Sequence, residues 1–487
     1  MRTILKSTAL LGGASLVSAA FGMLTAKAGA LLLGTSGIGY FGLLQSLLGV
    51  LQLLGAFGLS ASVVRFGAAA AAEGEPSFAA VRRAGWLVIL TASALLVPAL
   101  LVFRYPVSRT VFGSAERATA VVIVSAVLLL ALASVLQMAI LAARKQIRGI
   151  AMVTMLGSAL GAAAQIAIFW RFGMPGVPAA VATAAALQFL VSFIAVRTLI
   201  PRTEVPLSRL EVTKAFRQLV AFGGPQTASN FAGSGVHLLL PVLILSLLDL
   251  PSVGIFRASF TFSASYLGLV LVALSQDYFP RLAAERDKAL ARNTVNQQFR
   301  LLLLVGGPLI HAAMAFAPTL IRLLYSAEFL PAVSVLRWQM IGDVFRFQAV
   351  VLSYVVLVYG RPATFFAMEA ISGVVLIGSV FAAVRIFGLP GSGIGYAFSF
   401  GVYALLVWFT ARRLVPFRWE PRNLILLSAV LAVCLVIRFS PDVQLGPFVF
   451  SLGLIAALGY AAYALLCLYR EGSGRTLQSP PEGIDPA

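Results

Sequence analysis

The chain is divided into long apolar segments, each close to the length needed to cross a bilayer as an α-helix. A spanning helix needs roughly 20 mostly apolar residues, and fourteen segments of the 487-residue sequence meet this requirement. They lie near residues 8–33, 38–62, 85–103, 118–141, 150–170, 175–196, 217–248, 254–278, 300–325, 331–359, 363–386, 391–411, 422–439 and 445–469. Only 11% of the residues are charged. The sequence therefore predicts an all-α polytopic membrane protein with about fourteen transmembrane helices.

Lysine and arginine are distributed unevenly between the two sets of connecting segments. With a cytoplasmic N-terminus, 25 of the 36 basic residues fall on the cytoplasmic side, seven on the opposite side and four inside helices. Because cytoplasmic loops carry the excess of Lys and Arg, both termini are predicted to be cytoplasmic. This asymmetry accounts for the net charge of +19 without a nucleic-acid partner, which basic stretches beside exposed aromatics would indicate.

Cysteine and histidine are too rare for several kinds of site. The chain has two cysteines, Cys434 and Cys467, and two histidines, His237 and His311. Such numbers do not suit a disulfide framework, a zinc site or a histidine-centred catalytic triad. The sequence predicts a protein that is not an enzyme, with no metal and no cofactor.

One pentapeptide occurs almost unchanged twice, as FGMPG at 172–176 and FGLPG at 387–391. Other segments match at nearly the same interval, among them IGYFGLLQS at 38–46 with VGIFRASFT at 253–261. Helices 1–6 are therefore predicted to be repeated in parallel as helices 7–12, an arrangement typical of transporters that hold substrate in a central cleft between two six-helix bundles. The predicted parts are an N-terminal half (1–200), a C-terminal half (201–415), two accessory helices (416–470) and a disordered cytoplasmic tail (471–487).

Basic residues inside the apolar segments predict a cationic cleft. A charged side chain at mid-bilayer depth normally faces water or a partner, and Lys27 lies in helix 1. The repeat places Lys27 opposite His237 in helix 7, and Arg257 lies near the outer end of helix 8. Lys and Arg make charge-assisted hydrogen bonds to phosphate, so an anionic ligand is expected. For Arg257, extension of the side chain to the membrane interface is an equal alternative.

Helix 10 carries a polar stripe. Gln339, Asp343 and Arg346 recur at a spacing that puts them on one face of a helix. Gln339 and Arg346 are predicted to bind substrate, and Asp343 is either an ion-coupling group or the partner of Arg346 in a structural ion pair. Glu369 and Asp277 are the other acids that coupling to H⁺ or Na⁺ would use.

Five strings resemble the O-antigen and enterobacterial-common-antigen translocases, the Wzx-type flippases of the multidrug/oligosaccharidyl-lipid/polysaccharide exporter superfamily. They are AKAGALLLGTSGIGYFGLLQS (26–46), SQDYFPRLA (275–283), LIRLLYSAEFLPA (320–332), LRWQMIGDVFR (336–346) and GRPATFFAMEA (360–370). The resemblance covers roughly residues 5–415. It places the family's basic position of helix 1 on Lys27 and its helix 10 motif on Trp338, Gln339, Ile341, Gly342, Asp343 and Arg346. Family members commonly have about twelve helices, so helices 13 and 14 depart from the pattern.

The resemblance implies a flippase of the bacterial inner membrane. Its substrate would be an oligosaccharide on undecaprenyl pyrophosphate, moved from the cytoplasmic to the periplasmic leaflet for assembly of surface polysaccharide. The expected partners are this lipid-linked oligosaccharide, membrane lipids, a polysaccharide polymerase and a chain-length regulator.

Four other functions remain open from the residues alone. The nearest is a lipid II flippase for peptidoglycan. A cation-coupled multidrug exporter is disfavoured because helix 1 contains no acid, and a polytopic glycosyltransferase because the first outer loop, GTSGIG, contains none either. A structural subunit that only recruits polymerases would not require charges inside the membrane.

Overall fold

The computed structural model describes residues 2–200, 208–440 and 446–474. Within these ranges every regular element is helical, which confirms the predicted all-α class. The tail predicted to be disordered lies outside the described residues from position 475 onward. The α-helices are α1 (Arg2–Ala56), α2 (Leu59–Glu73), α3 (Glu75–Val102), α4 (Arg104–Phe112), α5 (Ala118–Ala143), α6 (Ile147–Phe172), α7 (Val177–Leu199), α8 (Arg209–Ser234), α9 (Val236–Leu247), α10 (Leu250–Thr261), α11 (Gly268–Ala284), α12 (Lys288–Ala315), α13 (Ala317–Leu324), α14 (Ala332–Tyr359), α15 (Pro362–Phe387), α16 (Pro390–Leu414), α17 (Pro421–Phe439) and α18 (Gly446–Gly474).

Helix α1 is two helices joined at Gly34. The backbone there has φ 67° and ψ −168°, a conformation open to glycine but strained for other residues. A Cβ placed on Gly29 would lie 2.8 Å from Cδ1 of Ile38. In a straight helix residues nine apart are separated by about 13.5 Å along the axis. The chain therefore folds back at Gly34, as the separate predictions of helices 1 and 2 require.

Eleven stretches of the described residues are long and apolar enough to cross a membrane. The first, Leu10–Glu73, has 64 residues; a straight helix of that length would be about 96 Å long, so it contains more than one crossing. Predicted helix 7 is divided into α8 and α9, and predicted helix 8 into α10 and α11. A π-helical turn at Phe262–Leu267 joins α10 to α11. The chain is a multi-pass membrane protein, and the count of fourteen is not confirmed.

One compact unit comprises Met1–Arg257 together with Arg322–Phe329. Its core packs α1 against α5, α6 and α7, with Leu43, Leu44 and Leu59 fully buried. Helices α1 and α10 approach closely through glycine. A Cβ on Gly254 would lie 2.0 Å from the backbone oxygen of Thr35 and 3.1 Å from the backbone nitrogen of Gly39. Only a residue without a side chain fits this crossing.

The second unit comprises Ala258–Ile321 and Leu330–Ala487. Helix α14 is its centre and packs on α16, α12 and α17. The linker before α17 is fixed by two buried amides, since Asn423 Nδ2 donates to Asn296 Oδ1 at 2.9 Å and Asn296 Nδ2 donates to the Arg418 carbonyl at 3.2 Å. Predicted helices 13 and 14, observed as α17 and α18, are thus packed on α12 within this unit.

Candidate functional site

Lys27 is held at the end of a short helix. Its Nζ donates to the carbonyl oxygens of Arg322 at 2.9 Å and Tyr325 at 2.5 Å. These carbonyls lie at the C-terminal end of α13, where backbone oxygens lack intrahelical partners and the helix dipole is negative. The charge of Lys27 is therefore matched to a helix terminus.

Arg257 makes its contacts inside the protein. Its guanidinium donates to the Gly42 carbonyl at 3.2 Å and to the side-chain oxygen of Gln45, and it lies 5.9 Å from the Phe41 ring centre. Tyr325, whose carbonyl binds Lys27, also lies near Arg257, so it connects two of the predicted basic residues. We call Lys27, Gln45, Arg257 and Tyr325 the basic cluster.

His237 lies in α9, and its side chain is outside the described residues. Its predicted place beside Lys27 therefore stays a prediction.

The polar stripe of α14 forms a second group. Asp343 Oδ1 accepts a hydrogen bond from the Tyr396 hydroxyl at 2.9 Å and lies 3.4 Å from Arg346 Nη1. Ser263 joins both partners: its hydroxyl lies 2.8 Å from that of Tyr396, and its carbonyl accepts from Arg346 at 3.4 Å. We call Ser263, Gln339, Asp343, Arg346 and Tyr396 the α14 cluster.

The two charges of the α14 cluster differ in exposure. The side chain of Asp343 is 0% exposed, whereas that of Arg346 is 25% exposed and lies 5.8 Å from the Phe400 ring centre. The buried acid is thus fixed, and the arginine that compensates it has a free face. An anion reaching Arg346 would compete with Asp343 for the same guanidinium.

Among the described residues, three polar atoms of the α14 cluster have no hydrogen-bond partner. Asp343 Oδ2 and both amide atoms of Gln339 are buried without a hydrogen bond. An unsatisfied buried polar group costs about 1–3 kcal/mol, and such groups call for an explanation. Residues 339 and 343 are one helical turn apart on the same face, so these atoms could together bind a proton or a small cation.

Glu369 and Asp277 lie in different settings. Glu369, on α15, accepts a hydrogen bond from the Tyr403 hydroxyl of α16. Asp277 is 79% exposed and pairs with Arg281 at 3.1 Å on its own helix. Among the described residues, no group of three or more His, Cys, Asp or Glu is arranged to hold a metal ion.

The tyrosines Tyr325, Tyr396 and Tyr403 and the glutamine Gln45 were not predicted from the sequence. A signal for two of them was present, since Tyr396, Phe400 and Tyr403 recur at helical spacing along α16. For Gln45 and Tyr325 no such pattern exists, because Gln45 contacts Arg257, 212 positions away, and Tyr325 contacts Lys27, 298 positions away.

The family is decided by a match over most of the chain. A family model described as "Polysaccharide biosynthesis protein" matches residues 30–334, which is more than half of the sequence. The chain belongs to this family. The relationship predicted from the five strings is thereby confirmed.

Curated relatives of this family member include the lipid III flippase of Escherichia coli (strain K12). It is 23% identical over 363 residues, which cover 73% of this chain and 85% of the relative. The lipid III flippase of Shigella flexneri matches to the same extent.

Solved structures of similar fold are transporters. The lipid II flippase MurJ, in an inward closed conformation, matches with a TM-score of 0.72 and 13% identity over 96% of this chain and 99% of its own. A multidrug resistance MATE family transporter of the MOP superfamily, inward-facing, matches with a TM-score of 0.70 and 16% identity over 84% of this chain and 95% of its own. These identities establish the fold alone. Because the MurJ match covers 96% of this chain, it must include at least part of α17 or α18.

Proposed function

We propose that the protein is a flippase that carries oligosaccharides linked to undecaprenyl pyrophosphate across the bacterial inner membrane. The observation that carries the proposal is the α14 cluster, in which a partly exposed arginine sits on a buried polar face of a helix that is long and apolar enough to span the membrane. Polar and ionisable groups in such helices normally mark a substrate or ion pathway. Membership of a polysaccharide biosynthesis family supports a glycan carrier as the substrate.

The chemistry of the two clusters suits such a ligand. Arg346 offers charge-assisted hydrogen bonds to a diphosphate, and the Phe400 ring beside it offers an aromatic face. Each sugar hydroxyl moved unpaired into hydrocarbon costs about 2 kcal/mol or more. A polar path through the protein removes that cost. Lys27, Arg257, His237, Gln339 and Arg346 are the proposed substrate-binding residues.

Transport by alternating access is supported by the repeat. The matched strings pair Gly39 with Gly254 at an interval of 215. In the fold these same glycines touch reciprocally: a Cβ on Gly39 would lie 3.0 Å from the Gly254 nitrogen, and one on Gly254 would lie 3.1 Å from the Gly39 nitrogen. Reciprocal contact of equivalent residues is what a two-fold axis requires. The six-helix halves 1–200 and 201–415 are proposed on this basis.

Ion coupling is proposed at Asp343. When a diphosphate binds Arg346, the buried carboxylate loses part of its compensating charge, and a charge in a low-dielectric site is costly. Uptake of H⁺ or Na⁺ beside Gln339 would restore neutrality. Glu369 is a second candidate because it accepts a hydrogen bond from Tyr403. Asp277, which is exposed and paired with Arg281, is the least favoured of the three.

The orientation and partners complete the proposal. Both termini are proposed to be cytoplasmic, which the distribution of Lys and Arg supports. A polysaccharide polymerase and a chain-length regulator are proposed to act on the translocated product.

A lipid II flippase is the second candidate function, favoured by the MurJ likeness over 96% of the chain. Deletion of the gene separates the two. If the protein moves glycan carriers for surface polysaccharide, cells stay viable, lose surface glycan and accumulate complete undecaprenyl-linked oligosaccharide on the cytoplasmic leaflet. Lysis with accumulation of lipid II would instead assign the protein to peptidoglycan, and accumulation of a truncated glycan would indicate a transferase.

A further inference from the structure

A groove of about 710 Å³ lies between α12, α17 and α18. Arg300 and Arg422 line one end, and the wall continues along α17 through Ile425 and Ala429 to Val433. From Arg422 to Val433 the helix rises about 16 Å. The groove is therefore long, basic at one end and apolar along the rest. We call it the C-terminal groove.

Specific contacts hold the basic end of the groove in place. Arg300 forms an ion pair with Glu420 and donates to Asn423 Oδ1 at 3.2 Å, so its position is fixed. Arg422 is exposed and has no ion pair or hydrogen bond among the described residues. Glu420 is already paired with Arg300. The end of the groove thus offers one uncompensated cation beside a fixed one.

The side of the groove is open to the surface that faces hydrocarbon. Ile425 is 68% exposed and Tyr463 is 52% exposed, and both line the groove. Neighbouring positions on the same two helices, Leu424, Ile455 and Leu458, are also exposed apolar side chains. In a membrane protein such surface meets lipid, so an occupant enters from the bilayer.

We propose that the C-terminal groove binds an anionic glycerophospholipid of the bilayer. The phosphate headgroup lies against Arg422 and Arg300, and an acyl chain lies along Ala429 and Val433 towards Tyr460. Basic pockets between membrane helices bind acidic lipid headgroups in this way, and the apolar wall packs against the acyl chain. The bound lipid holds α17 and α18 against α12. This site is separate from the α14 cluster and does not depend on which glycan is transported.

The test uses the purified full-length protein in a mild detergent with phosphatidylglycerol or phosphatidylcholine added. Bound lipid is counted by native mass spectrometry, and the thermal midpoint is measured with each lipid. The wild type is expected to bind phosphatidylglycerol at least about tenfold more tightly than phosphatidylcholine, and Arg422→Gln to lose that preference, since charge-assisted hydrogen bonds to phosphate would be removed.

Two further variants sharpen the result. Ala429→Trp fills the apolar part of the groove and should abolish retention of either lipid. Arg413→Gln removes the same charge from an exposed position at the end of α16, outside the groove, and should bind as the wild type does. Equal binding by Arg422→Gln and the wild type would overturn the proposal. So would displacement of phosphatidylglycerol by undecaprenyl phosphate at lower concentration, because the groove would then belong to the carrier lipid.

Discussion

The ion pair of the α14 cluster predicts a specific pattern of stabilities. At 3.4 Å and an effective dielectric constant of 20, the attraction between Asp343 and Arg346 is about 5 kcal/mol. Arg346 is a quarter exposed, so solvent screening reduces its part in stability, and a net effect of about 2–3 kcal/mol is expected for Arg346→Gln. The loss arises because Asp343 is left buried with only neutral hydroxyl partners, Tyr396 and Ser263, among the described residues.

Removal of both charges should restore about 1 kcal/mol of this stability. Asp343→Asn keeps an acceptor for Tyr396 and should cost about 1 kcal/mol. The double variant Asp343→Asn with Arg346→Gln should be more stable than Arg346→Gln alone, with a coupling energy of about 2 kcal/mol. The measurement is chemical unfolding of each purified variant in detergent micelles. Additive effects within about 0.5 kcal/mol would show that the two residues do not act as a pair.

Glycan export by the double variant distinguishes a substrate-binding role of Arg346 from a purely structural ion pair. If Arg346 binds the diphosphate in addition to pairing with Asp343, the double variant should be folded and abundant yet fail to export glycan. Normal export by the double variant would make the α14 cluster a structural ion pair only, and would remove Arg346 from the binding residues.

Three other substitutions test the remaining parts of the account. Lys27→Met should lower export at least about tenfold while the protein remains in the membrane, as measured by surface glycan and immunoblot, because it removes a charge from the basic cluster; unchanged export would exclude a substrate role. Gly254→Val should reduce the amount of folded protein in a size-exclusion assay, since its Cβ would lie 2.0 Å from a backbone oxygen, whereas Gly49→Val, with no atom within 4 Å, should not. Asp277→Asn should leave export within about twofold, because this acid is 79% exposed and surface ion pairs contribute about 1 kcal/mol or less; a large loss would restore it as a coupling residue.

The fold class could be predicted because bilayer thickness sets the length of a spanning helix. Apolar segments near that length were visible in the sequence, and the glycine-containing break between helices 1 and 2 is present at Gly34. The helix boundaries in the region of α8–α11 were harder to predict from the sequence. Pro225 and Pro241 lie inside α8 and α9, and a π-helical turn separates α10 from α11. Such irregularities depend on neighbours that satisfy the freed backbone groups.

The charged members of the candidate site could also be predicted, since ionisable residues in apolar segments are costly and therefore conspicuous. Their partners could not. Tyr325 contributes a backbone carbonyl to Lys27, and a carbonyl has no sequence signature. Tyr396 looks like one of many aromatic residues in a membrane helix until its hydroxyl is seen on Asp343. The sequence pattern of predicted helix 10, observed as α14, did indicate the Asp343–Arg346 pair, because residues three positions apart on a helix lie on the same face.

Translocation itself can be measured with the purified protein in liposomes that carry undecaprenyl-pyrophosphate-linked oligosaccharide in both leaflets. A glycosidase added outside cleaves only the outer glycan at first, and the protected fraction should become accessible with the wild-type protein. The double variant of Asp343→Asn and Arg346→Gln, incorporated to the same density, should leave that fraction protected. Equal protection with wild-type protein and with empty liposomes would show that the protein does not move the glycan.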